Sequence, residues 1–160
     1  MEFCEFNSFN YDINLENLKS YKEAIESYDK ALHIQSDSQS ALVLKAESLN
    51  NLQNYSGALE VVNSAIGFDA YNANAYNIKG LILLEMERYF DALDSFDRSI
   101  RLDPSNPDPL INKGIVYNTI GQYDEAISNY DKALQIDPSN QIAKNNKEIS
   151  LSMKSSWSVY

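Results

Sequence analysis

The same stretch of sequence returns every 34 residues, four times, without an insertion or deletion. YDEAISNYDKALQIDPSN (123–140) aligns with YFDALDSFDRSIRLDPSN (89–106), YSGALEVVNSAIGFDAYN (55–72) and YKEAIESYDKALHIQSDS (21–38). A chain built this way must solve one packing problem repeatedly. Within 107–140, apolar residues recur at steps of three and four: Leu110, Ile111, Ile115, Tyr117 and Ile120, then Ala126, Ile127, Tyr130, Ala133, Leu134 and Ile136. This spacing predicts two amphipathic helices per unit, broken at Gly121, which can adopt the left-handed conformation that ends a helix. Asp137-Pro138 stops the second helix, because proline cannot continue one. Asn140 and Asn106 stand where a cap for the next helix is needed.

A single helix pair cannot hide its apolar stripe, so neighbouring pairs must stack. Columns of residues spaced by 34 show where the close contacts fall. Ala24, Ala58, Ala92 and Ala126 form one small-residue column, Ala31, Ala65, Ser99 and Ala133 a second, and Ala46, Gly80 and Gly114 a third on the first helices. Large residues fill between them: Tyr28, Val62, Phe96 and Tyr130, with Leu15, Leu49, Leu83 and Tyr117. The expected fold is all-α.

LINKGIVYNTIGQYDEAISNYDKALQIDP (110–138) and YNIKGLILLEMERYFDALDSFDRSIRLDP (76–104) resemble the tetratricopeptide-repeat family, whose 34-residue unit carries W-x2-L-G-x2-Y…A-x3-F…P. Leu42, Tyr76 and Leu110 replace the family tryptophan, and Ala70 and Ser36 stand where its proline is expected. The resemblance implies an α-α superhelix, a right-handed solenoid of stacked antiparallel helix pairs, and a role in protein–protein binding. Expected boundaries are one array over 1–154, with repeats at about 5–38, 39–72, 73–106 and 107–140, a capping helix at 141–154 and a frayed tail at 155–160.

The ends are the weak points. The first repeat has a good second helix but a poor first one, with Asp12 at the small-residue position and Ser8 at the large aromatic one. It reads as a divergent or partly frayed N-terminal cap. The alternative leaves Phe3, Phe6, Phe9 and Tyr11 exposed to dock onto a partner or a second copy, giving an oligomeric scaffold. In the last helix, Ala143, Lys147 and Leu151 are expected to face the final pair and Lys144, Asn145 and Glu148 to meet solvent. Lys45, Lys79, Lys113 and Lys147 recur one repeat apart, each expected to lay its stem on apolar surface and reach a carboxylate such as Asp29, Asp97 or Asp131.

Charge and residue content narrow the function. Thirteen Lys and Arg against 23 Asp and Glu give a net charge of −10, which repels phosphate backbones and anionic lipid. No apolar run is long enough to span a membrane, so neither nucleic acid nor membrane is an expected partner. MEFCEF has no secretory-signal features, and one cysteine, Cys4, suits a reducing, cytoplasmic location. One histidine, His33, and one cysteine leave almost no material for a zinc site or a nucleophile pair. Catalytic residues, metal ligands and cofactors are not expected, and the chain does not read as an enzyme.

The resemblance places a ligand groove on the first helices. Projecting their inward positions selects Val43, Glu47, Asn50, Asn51, Asn74, Asn77, Leu81, Leu84, Glu85, Ile111, Ile115, Asn118 and Asn145. Some family members clamp the acidic tails of heat-shock chaperones with lysines and asparagines, but no three-repeat frame here supplies the basic residues. The aliphatic groups can anchor apolar side chains and the asparagine amides can pair with an extended backbone. The expected ligand is a protein or peptide segment with apolar anchors, neutral or basic because of Glu47 and Glu85, bound by an adaptor or co-chaperone-like scaffold.

Overall fold

The computed structural model describes the backbone of residues 2–157 and the side chains of residues 17–156. Among the described residues there are helices and turns and no strand. They group into two compact units that divide between Asp69 and Ala70. The first contains α1 (Glu2–Ile34), α2 (Gln39–Asn51) and α3 (Tyr55–Phe68). The second contains α4 (Ala73–Glu85), α5 (Tyr89–Leu102), α6 (Asp108–Thr119), α7 (Tyr123–Ile136) and α8 (Gln141–Trp157).

The pairs α2/α3, α4/α5 and α6/α7 are antiparallel hairpins, and the ends of the first two are tied across: Gln39 Nε2 donates to the Ala65 carbonyl at 3.2 Å, and Ser99 Oγ to the Ala73 carbonyl at 2.8 Å. The turn inside each hairpin has one residue in the left-handed region: Gln53 (φ 60°), Glu87 (φ 57°) and Gly121 (φ 79°). The following amide reaches back to the last turn of the first helix, Asn54 to Leu49, Arg88 to Leu83 and Gln122 to Tyr117, at 2.8–2.9 Å. This closure satisfies carbonyls that would otherwise be orphaned. Only Gly121 takes the conformation without a Cβ penalty; a residue with a side chain loses roughly 1–2 kcal/mol there. Second helices start on Asn54 in α3, whose side chain accepts from Gly57, while first helices start on Asn72 and Asn140, accepting from Ala75 and Ala143.

The crossings explain the small-residue columns. A Cβ built on Gly80 would stand 2.4 Å from the Phe96 ring, and one on Gly114 would stand 2.3 Å from the Tyr130 ring. Glycine lets the aromatic lie against the first helix's backbone. Ala58, Ala92, Ala126, Ala65 and Ala133 are completely buried, as are Val62 and Phe96. In the second unit, Leu110, Ile111, Ala126, Tyr130, Ala133 and Ala143 form one cluster, with Ile100, Ile115, Tyr117 and Leu134 packed on it.

The first repeat departs from expectation. Instead of a hairpin it is one helix of 33 residues. Lys19, which aligns with Gln53, Glu87 and Gly121, stays helical, although Ser20 after it could serve as a cap. A hairpin there would set the Asp12 position against Tyr28, where the other pairs place glycine or alanine, and a carboxylate cannot occupy that contact. At the far end, α8 continues through Trp157 rather than stopping at 154. Its buried face is also different: Ala143 and Ser150 are fully buried, whereas Leu151 is 47% exposed. Leu151 belongs to the column that packs on a repeat's own second helix, and no second helix follows α8 among the described residues.

The Tyr130 phenol, 1% exposed, is pushed up to about 12 by burial, against a smaller opposing effect of its hydrogen bond with Ser150. The unfolded phenol releases its proton near 10, so between about pH 10 and 12 the unfolded state binds fewer protons than the native one and stability falls as pH rises. The urea midpoint should therefore drop across that window, and Tyr130→Phe should flatten the drop. Gly114→Ala should destabilise by roughly 1–3 kcal/mol through overpacking, whereas the exposed change Lys144→Ala should stay within about 0.5 kcal/mol. Glu87→Gly should raise the midpoint, by roughly 0.5–1 kcal/mol, because relief of the left-handed strain exceeds glycine's entropy cost.

Candidate functional site

The first helices α4, α6 and α8 lie side by side in the second unit. Two polar bonds run between them: Asn112 Nδ2 donates to Asn77 Oδ1 at 3.0 Å, and Ser150 Oγ donates to Asn118 Oδ1 at 3.0 Å. Such a helix buries two flanks, one on its own second helix and one on the neighbouring first helix. The outward strip is therefore narrower than a projection with a single buried flank implies.

That narrowing corrects three of the projected residues. Val43, Asn77 and Ile111 are only 3%, 7% and 4% exposed. They occupy the same position in successive repeats, on the flank that meets the next first helix in the case of Asn77, and so belong to the packing. The remaining residues of the second unit do reach the surface: Asn74, Glu85 and Asn145 are exposed, and Leu81, Leu84, Ile115 and Asn118 are half-buried. In the first unit, Glu47 and Asn51 are exposed and Asn50 is half-buried. The buried Asn50 Oδ1 has no hydrogen-bond partner. An open cleft of about 410 Å³ in that unit is lined by Asn17, Leu18, Tyr21, Asn51 and Gln53.

Sequence reasoning placed only Asn145 of α8 in the groove and missed the helix's apolar residues. Extending the Leu81 and Ile115 column by one more period reaches Ile149, 48% exposed, and the Asn74 and Glu85 columns reach Ile142 and Met153, 62% and 43% exposed. The signal is the same 34-residue step, carried one period further into the capping helix. Leu81, Ile115 and Ile149 thus continue one apolar column across α4, α6 and α8. Two amide oxygens beside it are occupied, Asn118 by Ser150 and Asn145 by the Gln141 side chain at 2.8 Å.

Three of the four ladder lysines are spent on structure. Lys45 pairs with Asp29 at 2.5 Å, Lys113 with Asp97 at 2.5 Å and Lys147 with Asp131 at 2.6 Å, each joining a first helix to the preceding second helix. Position 63, where the partner of Lys79 would be, is Asn63. Asp91 pairs with Arg88 and Asp124 with Lys154. Among the described residues, no group of three or more His, Cys, Asp or Glu is placed to hold a metal ion, and no helix is long and apolar enough to cross a membrane. The side chains of Phe3, Phe6, Phe9 and Tyr11 lie outside the described residues.

Comparison with known proteins agrees with this geometry. A family model described as tetratricopeptide repeat matches residues 107–140, and one described as anaphase-promoting complex, cyclosome, subunit 3 matches residues 17–99. No curated protein sequence matches the chain. Among solved structures, MamA is 23% identical with a TM-score of 0.72, covering 92% of this chain and 82% of its own. YrrB, described as a tetratricopeptide-repeat protein with an unusual peptide-binding site, is 25% identical with a TM-score of 0.71, covering 81% of this chain and 67% of its own. The first such domain of Spaghetti (RPAP3), solved bound to the HSP90 peptide SRMEEVD, is 16% identical with a TM-score of 0.69, covering 76% of this chain and 96% of its own. With its 34-residue period, its glycine–aromatic crossings and these matches, the chain belongs to the tetratricopeptide-repeat family, an all-α helical-repeat solenoid fold that serves as a protein-interaction module.

Proposed function

We propose that the chain is an adaptor that binds an extended segment of a partner protein along α4, α6 and α8. The observation that carries this reading is the apolar column Leu81, Ile115 and Ile149, half-buried or exposed on adjacent first helices and flanked by asparagines. Apolar anchors of the ligand seat on the column, and the exposed Asn74 and Asn145 amides pair with its main chain. Each buried anchor contributes roughly 1.5–3 kcal/mol; three of them, less the cost of ordering the peptide, give about micromolar affinity. Peptide binding by YrrB and by the RPAP3 domain supports the general mode.

The ligand is neutral or basic. Glu85 and Asp108 are exposed on these helices, while Lys113 and Lys147 are engaged by Asp97 and Asp131. The acidic peptide bound by the RPAP3 domain would meet carboxylates here, so a co-chaperone-like role toward acidic tails is disfavoured. One cysteine in the chain is in keeping with work in a reducing compartment such as the cytoplasm.

The test is affinity capture read by mass spectrometry, repeated with Leu81→Asp combined with Ile115→Asp. The double variant should lose the partner while keeping its helical circular dichroism, and Ile149→Asp should weaken capture in the same direction. A partner that binds the double variant unchanged would place the site elsewhere.

A further inference from the structure

The second half of α1 is a second helix without a first. Its face can be compared position by position with its three counterparts in the same chain. Ala31 is exposed, where Ala65, Ser99 and Ala133 are at most 1% exposed. Ser27 is exposed, where Val61 is half-buried and Ser95 and Asn129 are 7% exposed. Ala24 and Tyr28 are half-buried, where Ala58, Ala92 and Ala126, and Val62, Phe96 and Tyr130, are at most 1% exposed.

The three covered copies specify what fits it. In each, an α-helix lies antiparallel on the face, with a small residue at the crossing, an apolar residue four positions before and another three positions after: Leu42, Ala46 and Leu49; Tyr76, Gly80 and Leu83; Leu110, Gly114 and Tyr117. Opposite an aromatic ring the small residue is glycine, because a Cβ there would stand 2.3–2.4 Å from the ring. Tyr28 is an aromatic of the same kind. The chain has two other segments in first-helix register without a second helix of their own, and both carry an acid at the crossing: Asp12 in 5–17 and Glu148 in α8. Neither the chain's own N-terminal segment nor either segment from another copy meets the requirement.

We propose that this face of α1 is a docking site for an amphipathic helix of a different protein, carrying apolar-x3-Gly-x2-apolar, which supplies the missing first helix of the repeat. Its glycine sits over Tyr28 and its two apolar residues pack along Ala24, Ser27 and Ala31. The site is separate from the face of α4, α6 and α8 and does not depend on that reading.

The experiment uses the whole chain and a fluorescein-labelled peptide of its residues 107–119, PDPLINKGIVYNT, which covers Tyr130 in the intact fold and carries the required spacing. In fluorescence anisotropy the peptide should bind saturably. Gly114→Asp in the peptide, or Ala31→Glu in the chain, should weaken binding by about tenfold or more, as expected when a close crossing is blocked. Leu81→Asp with Ile115→Asp should leave binding unchanged. Ala31 is exposed, so its variant keeps the fold, with circular dichroism as the check. Failure to saturate, equal binding of the Gly114→Asp peptide, equal binding to the Ala31→Glu chain, or loss of binding in the Leu81, Ile115 variant overturns the proposal. So does light scattering that finds a wild-type dimer made monomeric by Ala31→Glu, since a second copy then covers the face.

Discussion

A near-absent side chain under an aromatic ring is the contact on which this fold depends. At Gly80 under Phe96 and Gly114 under Tyr130, the second helix comes close enough to bury a large ring against backbone. The buried alanine columns then bring the two helices together along their length. The rest follows from that distance. It makes the pair too thin to bury its remaining apolar surface alone, so it stacks, and within the second unit stacking sets α4, α6 and α8 side by side.

Where the contact is forbidden, the architecture changes. Asp12 and Glu148 occupy the glycine column at the two ends of the sequence. Beside the first, α1 runs straight through the position where other repeats turn; after the second, α8 extends to Trp157 as a lone helix. The ion pairs act differently. Lys45, Lys113 and Lys147 bind the preceding second helix through Asp29, Asp97 and Asp131. With these lysine side chains 13–32% exposed, the pairs contribute mainly by fixing register, and they neutralise three of the ladder's four positive charges.

The sequence made the helix pairs, the crossings and the lysine partners legible because each repeats at a fixed step, and repetition reveals which positions face each other. It was less informative where a position has two neighbours. Asn77 reads as a polar surface residue by type, yet it is buried because Asn112 satisfies its oxygen across the helix–helix seam. Leu151 leaves its expected place against the final pair because no following helix covers it among the described residues, while Ser150, for which residue type suggested no role, is buried and hydrogen-bonded to Asn118. Gln53 and Glu87 adopt the left-handed turn that glycine advertises at Gly121, so there the turn follows from the packing of the helices rather than from local preference. Ser20 shows the converse: a good capping residue does not end a helix when the hairpin beyond it cannot close.

The unequal turns also set an order of assembly. Almost every helix contact joins elements adjacent in the chain, so little loop-closure entropy opposes growth from any one hairpin. The hairpin of α6 and α7 has the unstrained turn at Gly121, a proline at the start of its first helix and another just after its second. On these grounds it is expected to be the least costly pair to form and the first to nucleate, with α8 and α5 condensing on either side of it. Helix α1, which lacks a hairpin of its own and packs on α2, is then expected to join last, so that substitutions in it change the unfolding rate more than the folding rate.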